Sequence, residues 1–172
     1  MKKIVKYGII VFFFLIIGFM LARTYKEFNL KKERQANIQV LPDVVFYALD
    51  GAEVNLRDYN SENGTIILFF NMVCGSCQYQ IKEITQNSNK TNNYQILLIT
   101  SSSSAKEVEN YCMELNVFSV DNIEVLMDKD FKFEKTFPNS VAPVIYIYDR
   151  FRKLKWTHMG EIKFSAIQTA LN

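Results

Sequence analysis

Hydrophobic positions follow two regimes along this chain. Residues 7–22 are apolar almost without a break, whereas from residue 44 onwards apolar residues come in short blocks divided by turn formers. The first regime has the length of a membrane-crossing helix, and the second that of a sheet protein with interleaved helices. Residues 44–49 and 52–56 flank Asp50-Gly51, a dipeptide that tolerates the positive φ of a tight turn, so the blocks open with a β-hairpin. Residues 65–71 form a near-continuous apolar strand of the kind buried on both faces of a sheet. A helix-compatible run over 78–84 and a polar connection over 87–93 lead to a second buried strand at 94–100. A strand, helix, strand unit of this length predicts parallel pairing through a right-handed crossover. Ser101 to Ser104 reads as a loop and helix N-cap, and Val108, Tyr111, Cys112 and Leu115 then recur at helical spacing. A short strand at 124–127, a charged and aromatic segment at 128–137, a hairpin of 144–148 with 153–157, and a helix over 164–171 complete the pattern.

The apolar run at 7–22 covers about 24 Å as a helix, and Ile4, Val5 and a snorkelling Lys6 extend it towards the roughly 30 Å hydrocarbon core. It predicts a single transmembrane helix meeting the membrane through residues 4–22. Met20-Leu21-Ala22 puts a bulky residue where a signal peptidase needs a small one, so residues 1–22 read as an uncleaved anchor. No cysteine near its end invites lipid attachment. Residues 23–40 are polar and read as a tether or a short helix leaving the bilayer, and 41–172 as one soluble, monomeric domain of modal size.

Charge sharpens this division. The net charge of +2 hides a local +6 over residues 1–35, which hold eight Lys and Arg and two acids, against −4 for the remainder. The basic flank is accounted for by topology and lipid headgroups, and no nucleic-acid partner is indicated.

The chemistry lies in Cys74-Gly75-Ser76-Cys77, at the point where the strongest strand hands over to a helix. A sulfur over the unsatisfied amides of a helix N-terminus is stabilised as thiolate, and a second cysteine three residues on is one turn away, able to attack a mixed disulfide. Against this stand a structural disulfide and half of a metal site. A zinc site needs four ligands, yet only Cys112 and His158 remain beside the pair, so no metal and no cofactor is expected. Cys112 sits on the apolar stripe of its helix and reads as a buried free thiol, and His158 as a surface side chain of the second hairpin.

Together these elements resemble the thioredoxin fold, and more narrowly the redoxin or TlpA-like branch of membrane-tethered thiol-disulfide oxidoreductases. Leu41-Pro42-Asp43-Val44 with Asp50-Gly51 is similar to that branch's N-terminal hairpin, and Phe69 to Cys77 to its active-site strand and motif. Val141-Ala142-Pro143-Val144 resembles its cis-proline loop, and Gly160 the glycine closing the second hairpin. The resemblance implies an α/β thioredoxin-like fold with a mixed central sheet flanked by helices and an N-terminal hairpin extension. It also implies that Cys74 and Cys77 are catalytic, and that Pro143, Ala142, Gly75 and Ser76 bind substrate, with the Ala142 backbone pairing with an extended segment.

The chain departs from the family pattern around the second cysteine. Val73 stands where thioredoxins usually carry Trp. Leu68 occupies the position of their buried carboxylate, and Gln80 that of the acid TlpA-like relatives carry three residues after the second cysteine. Glu83, one helical turn further, is the nearest acid in sequence and the candidate proton relay. The resulting expectation is a reductase of extracytoplasmic protein disulfides, periplasmic in placement, acting on protein dithiol and disulfide partners and drawing on a membrane electron donor. Rival readings are an adaptor with a structural disulfide, a copper-binding relative and a peroxidase. The peroxidase reading meets Ile67 and Asn71 where a peroxiredoxin motif needs proline and threonine.

Overall fold

Strand β3 (Gly64–Phe70) organises the molecule because all seven of its residues are buried. Its even members Ile66, Leu68 and Phe70 face one layer and its odd members Ile67 and Phe69 the other. This is the period-2 alternation of a strand covered on both sides. At roughly 1.5 to 3 kcal/mol for each large side chain removed from water, this one strand anchors much of the core. The computed structural model describes residues 2–59 and 61–172, with side chains from residue 15 onwards.

The chain runs α1 (Lys2–Asn37), β1 (Val45–Ala48), β2 (Glu53–Asn55), β3, α2 (Gly75–Gln86), β4 (Tyr94–Thr100), α3 (Ala105–Glu114), β5 (Ile123–Met127), α4 (Lys132–Thr136), β6 (Val144–Asp149), β7 (Leu154–Met159) and α5 (Phe164–Leu171). Seven strands form one sheet in the order β2-β1-β5-β4-β3-β6-β7. β3 pairs parallel with β4, and β4 parallel with β5. β6 runs antiparallel to β3 and to β7, while β1 runs antiparallel to β5 and β2. The sheet is thus mixed, as expected, and both hairpins form. In the first, Gly51 at φ 92° takes the turn position that its sequence suggested.

Helices α2, α3 and α5 cover one face. Ile81 and Ile84 of α2, Val108 and Cys112 of α3, and Phe164 and Ile167 of α5 meet the even side of β3. The Ser104 side chain accepts from the Glu107 N–H and starts α3, as the serine run implied. The other face is closed by α4 and by the chain preceding β1. Phe69, Phe133 and Phe137 stack in series at 4.1 and 4.2 Å between centroids, and Tyr146 tilts against Phe137 at 4.8 Å. The aromatic segment is therefore core. Asp128 is buried beneath it with a purpose: its carboxylate accepts from the N–H groups of Lys132 and Phe133 and caps α4.

Residues 23–37 continue α1 without a break, the helical of the two forms expected for this segment, since no proline or glycine follows Gly18 before the helix ends. Directly beyond it, Ile38 and Leu41 are wholly buried in the far-face core, and Arg34 donates to the Glu134 carbonyl at 2.9 Å. The globular unit therefore takes hold of the chain from residue 34. The first half of the apolar run, residues 7–14, lies outside the residues whose side chains are described. Among the described residues no helix is long and apolar enough to cross a membrane.

Candidate active site

The site is built where β3 ends. Asn71 turns the chain: its carbonyl accepts from the Cys74 N–H and its side-chain oxygen from the Val73 N–H, both at 3.1 Å. An asparagine side chain that mimics a backbone turn in this way fixes the loop before the helix begins. Cys74 then serves as the N-cap of α2, in extended conformation at φ −98° and ψ 115°. The Cys77 N–H is shared between the Cys74 carbonyl at 3.1 Å and the Cys74 sulfur at 3.3 Å, so a donor of the first turn faces the outer thiol.

The two thiols differ in exposure. Cys74 is half-buried beside the exposed Val73, whereas Cys77 is wholly buried. Burial pushes the Cys77 thiol up to about 12, and its hydrogen bond to Cys74 adds to the rise, while the Asn71 N–H, 3.4 Å from the sulfur, opposes it. This asymmetry suits an outer sulfur that meets substrate and an inner one that acts later.

Opposite the dithiol lies the loop before β6. The Ala142-Pro143 bond is cis, and the Ala142 carbonyl is 4.0 Å from the Cys74 sulfur. Val141 is 74% exposed and Val73 92%, so an uncharged apolar rim frames the outer thiol. The loop is held from below: the Tyr146 hydroxyl donates to the Asn139 carbonyl at 2.8 Å and accepts from its N–H at 3.3 Å. The structure thus brings Cys74, Cys77, Gly75, Ser76, Ala142 and Pro143 to one end of the sheet. Asn71 and Tyr146, which position two of its parts, carried no pattern that singled them out in advance.

Glu83 is not part of this group. Its carboxylate accepts from the Phe164 N–H at 2.6 Å and so holds the first turn of α5. Expected as a proton relay, Glu83 lies one turn beyond Gln80 and commits this oxygen to the neighbouring helix, with no hydrogen bond to either cysteine among the described residues. Gln80 is the side chain buried one turn after Cys77, and its oxygen accepts from the Ile162 N–H at 2.8 Å. Cys112 is buried as expected, its thiol raised to about 12 by desolvation. His158 is half-buried, stacked on Trp156 at 5.5 Å.

The sequence profile of the AhpC/TSA family matches residues 26–157. The chain belongs to that family. No relative is matched among curated proteins. Among solved structures, the exposed lipoprotein thioredoxin Etrx1 of Streptococcus pneumoniae superposes with a TM-score of 0.61 at 23% identity, over 75% of this chain and 97% of its own. A secreted disulfide oxidoreductase of Mycobacterium tuberculosis gives 0.62 at 12% identity, over 75% and 94%. A peroxiredoxin-like protein of Aquifex aeolicus gives 0.62 at 11%, over 77% and 84%. At these identities the likeness shows the thioredoxin-like fold. Against the peroxidase branch, Ile67 is buried on the far face and the Asn71 side chain is committed to the Val73 N–H.

Proposed function

We propose that the protein is a membrane-tethered thiol-disulfide oxidoreductase working through Cys74 and Cys77, with its domain on the extracytoplasmic side. The observation carrying this reading is the pairing of a half-exposed Cys74 at the N-cap of α2 with a buried Cys77 whose N–H points at the Cys74 sulfur. In the reducing direction the Cys74 thiolate attacks a substrate disulfide, one substrate sulfur leaves and takes a proton, and a mixed disulfide remains. Cys77 then gives up its proton and attacks the Cys74 sulfur. The second substrate sulfur leaves with the electron pair and is protonated, and the Cys74-Cys77 disulfide forms. A membrane dithiol donor returns two electrons and two protons. Docking of an extended substrate segment against Ala142 and Pro143, with Gly75 and Ser76 beside it, fits the apolar rim.

The tether is supported by α1, on which Leu15, Phe19, Met20 and Leu21 are each more than 60% exposed, an apolar surface without a partner among the described residues. The basic residues on both sides of the run fit lipid headgroups. A second reading, an adaptor in which the pair is a structural disulfide, draws on the place of Gln80: no carboxylate stands one turn from Cys77 to take its proton.

The deciding measurement is the reduction potential of the pair in the full-length protein in detergent, equilibrated in glutathione or dithiothreitol buffers. A reductase gives a value near thioredoxin's, about −270 mV, while a value near −120 mV marks an oxidant. A pair that dithiothreitol does not reduce supports the adaptor and overturns exchange.

A further inference from the structure

β3 ends at Phe70, whose ladder partner is Thr100, and the next residue, Asn71, turns all of its bonded polar groups towards the dithiol loop. The Asn71 carbonyl accepts from the Cys74 N–H and its side-chain oxygen from the Val73 N–H, both at 3.1 Å, while its own N–H points at the Cys77 sulfur at 3.4 Å. One residue therefore holds the outer cysteine through its backbone and the inner one at its sulfur. Among the described residues each thiol has its own backbone donor, the Cys77 N–H for Cys74 and the Asn71 N–H for Cys77. The donor on Cys74 belongs to the first turn of α2 and is fixed by the helix. The donor on Cys77 belongs to a loop, and that loop is fixed by the Asn71 side chain closing its turn on Val73. The same side chain is exposed, so packing does not call for asparagine here. The titratable groups nearby do not serve instead: Tyr111 and Cys112 are held neutral by burial, and Glu83 is committed to α5.

We propose that Asn71 is a positioning residue of the resolving step: its side-chain turn keeps its own N–H on the Cys77 sulfur, and that N–H holds the thiolate formed there as it attacks Cys74. The inference rests on the exchange reading, in which Cys77 resolves the mixed disulfide. Cys77 gives its proton to water, its sulfur forms the bond to the Cys74 sulfur, and the Cys74-substrate bond breaks. The substrate sulfur leaves with the electron pair and takes a proton from water, so no further reactant is consumed. Because the Cys74 sulfur is neutral in the mixed disulfide, the negative charge to be held at that moment is on Cys77 alone. A hydrogen bond to a charged sulfur is stronger than one to a neutral thiol, and a donor already in place needs no reorganisation when the charge appears. It works against burial, which favours the neutral form of this thiol.

The test uses the reduced full-length protein in detergent with 5,5′-dithiobis-(2-nitrobenzoate). Attack by Cys74 releases the first thionitrobenzoate and attack by Cys77 the second, so the two steps are read as two phases. In Asn71→Ala, which removes the side-chain turn but no core contact, the first phase is expected at the wild-type rate. The second is expected about fivefold slower, the weight of one ordinary hydrogen bond, with its pH profile displaced upwards. Asn71→Ser, whose hydroxyl accepts from the same Val73 N–H, should recover most of that rate, and a serine variant as slow as alanine counts against the proposal. A second phase unchanged in rate and profile in Asn71→Ala overturns it, and so does equal slowing of both phases, which reduces the turn to loop stability. The hydrogen bond is also read with Asn71 left in place: in Cys77→Ala the Asn71 amide, followed by NMR, should exchange with deuterium faster than in wild type, and unchanged exchange contradicts the proposal. Should wild type itself release only one equivalent of thionitrobenzoate, the exchange reading fails in the parent protein and takes the proposal with it, a failure distinct from one confined to the variants.

Discussion

At the scale of single residues, two buried thiols make the reduced protein sensitive to alkali. Cys77 and Cys112 are both raised from an ordinary 9.0 to about 12, chiefly by desolvation. Between pH 9 and 12 the unfolded chain has lost these protons while the folded one retains them, so their contribution is intact below pH 9 and falls as pH rises. The loss approaches about 1.4 kcal/mol per pH unit for each thiol. Urea unfolding of the reduced protein at pH 7.5, 8.5, 9.5 and 10.5 should show little thiol-linked change over the first step and a steep decline over the last. Cys112→Ala should make that decline shallower; an equal slope in the variant would contradict the assignment. The thiols themselves were legible from sequence, Cys112 through its place on an apolar stripe. Glu83 was not, because sequence distance along a helix says how far a carboxylate lies from Cys77 but not which neighbouring element claims it.

At the scale of elements, the strands and helices followed their hydrophobic blocks closely, since each block is bounded by polar or turn-forming residues and its period matches its burial. α5 falls on the expected residues, and β3, β5, β6 and β7 within about two residues of theirs. What remained hidden was how elements hold one another. β6 presents Tyr146 to the segment preceding the cis peptide, and its hydroxyl satisfies both backbone groups of Asn139. A tyrosine in an apolar strand reads as core, and nothing local tells which backbone its hydroxyl will meet across the turn. Tyr146→Phe retains the aromatic stack but leaves those two groups without their partner, a cost of about 1 to 2 kcal/mol. The expected outcome is a lower thermal midpoint and weaker docking of a peptide disulfide, with KM raised several-fold and the reaction of Cys74 with small alkylating agents unaltered. If KM stays at the wild-type value, the loop does not depend on this hydroxyl.

At the scale of the whole molecule, the asymmetry of charge and the asymmetry of exposure coincide. The basic residues concentrate on α1, whose described upper half exposes Phe19, Met20, Leu21, Tyr25 and Phe28, while the acidic remainder forms the globular unit. On the proposed reading a bilayer covers that surface, and the basic flanks fit its headgroups. The charge count does not favour one orientation strongly: three lysines precede the run and five basic residues follow it before residue 36. On the proposed reading as an anchored reductase, orientation is argued from chemistry, because such a protein is of use where disulfides form and persist. The expectation is that the full chain stays with membranes through an alkaline carbonate wash, whereas a chain beginning at residue 34, which retains Arg34, Ile38 and Leu41, is released as a folded soluble protein. Cysteine placed at the exposed Lys155 of β7, in a chain whose own three cysteines are replaced by serine, then reports the side. Labelling in whole cells by a membrane-impermeant maleimide places the domain outside. Labelling only after lysis places it inside and would leave the anchor without the disulfide-forming compartment that motivates it.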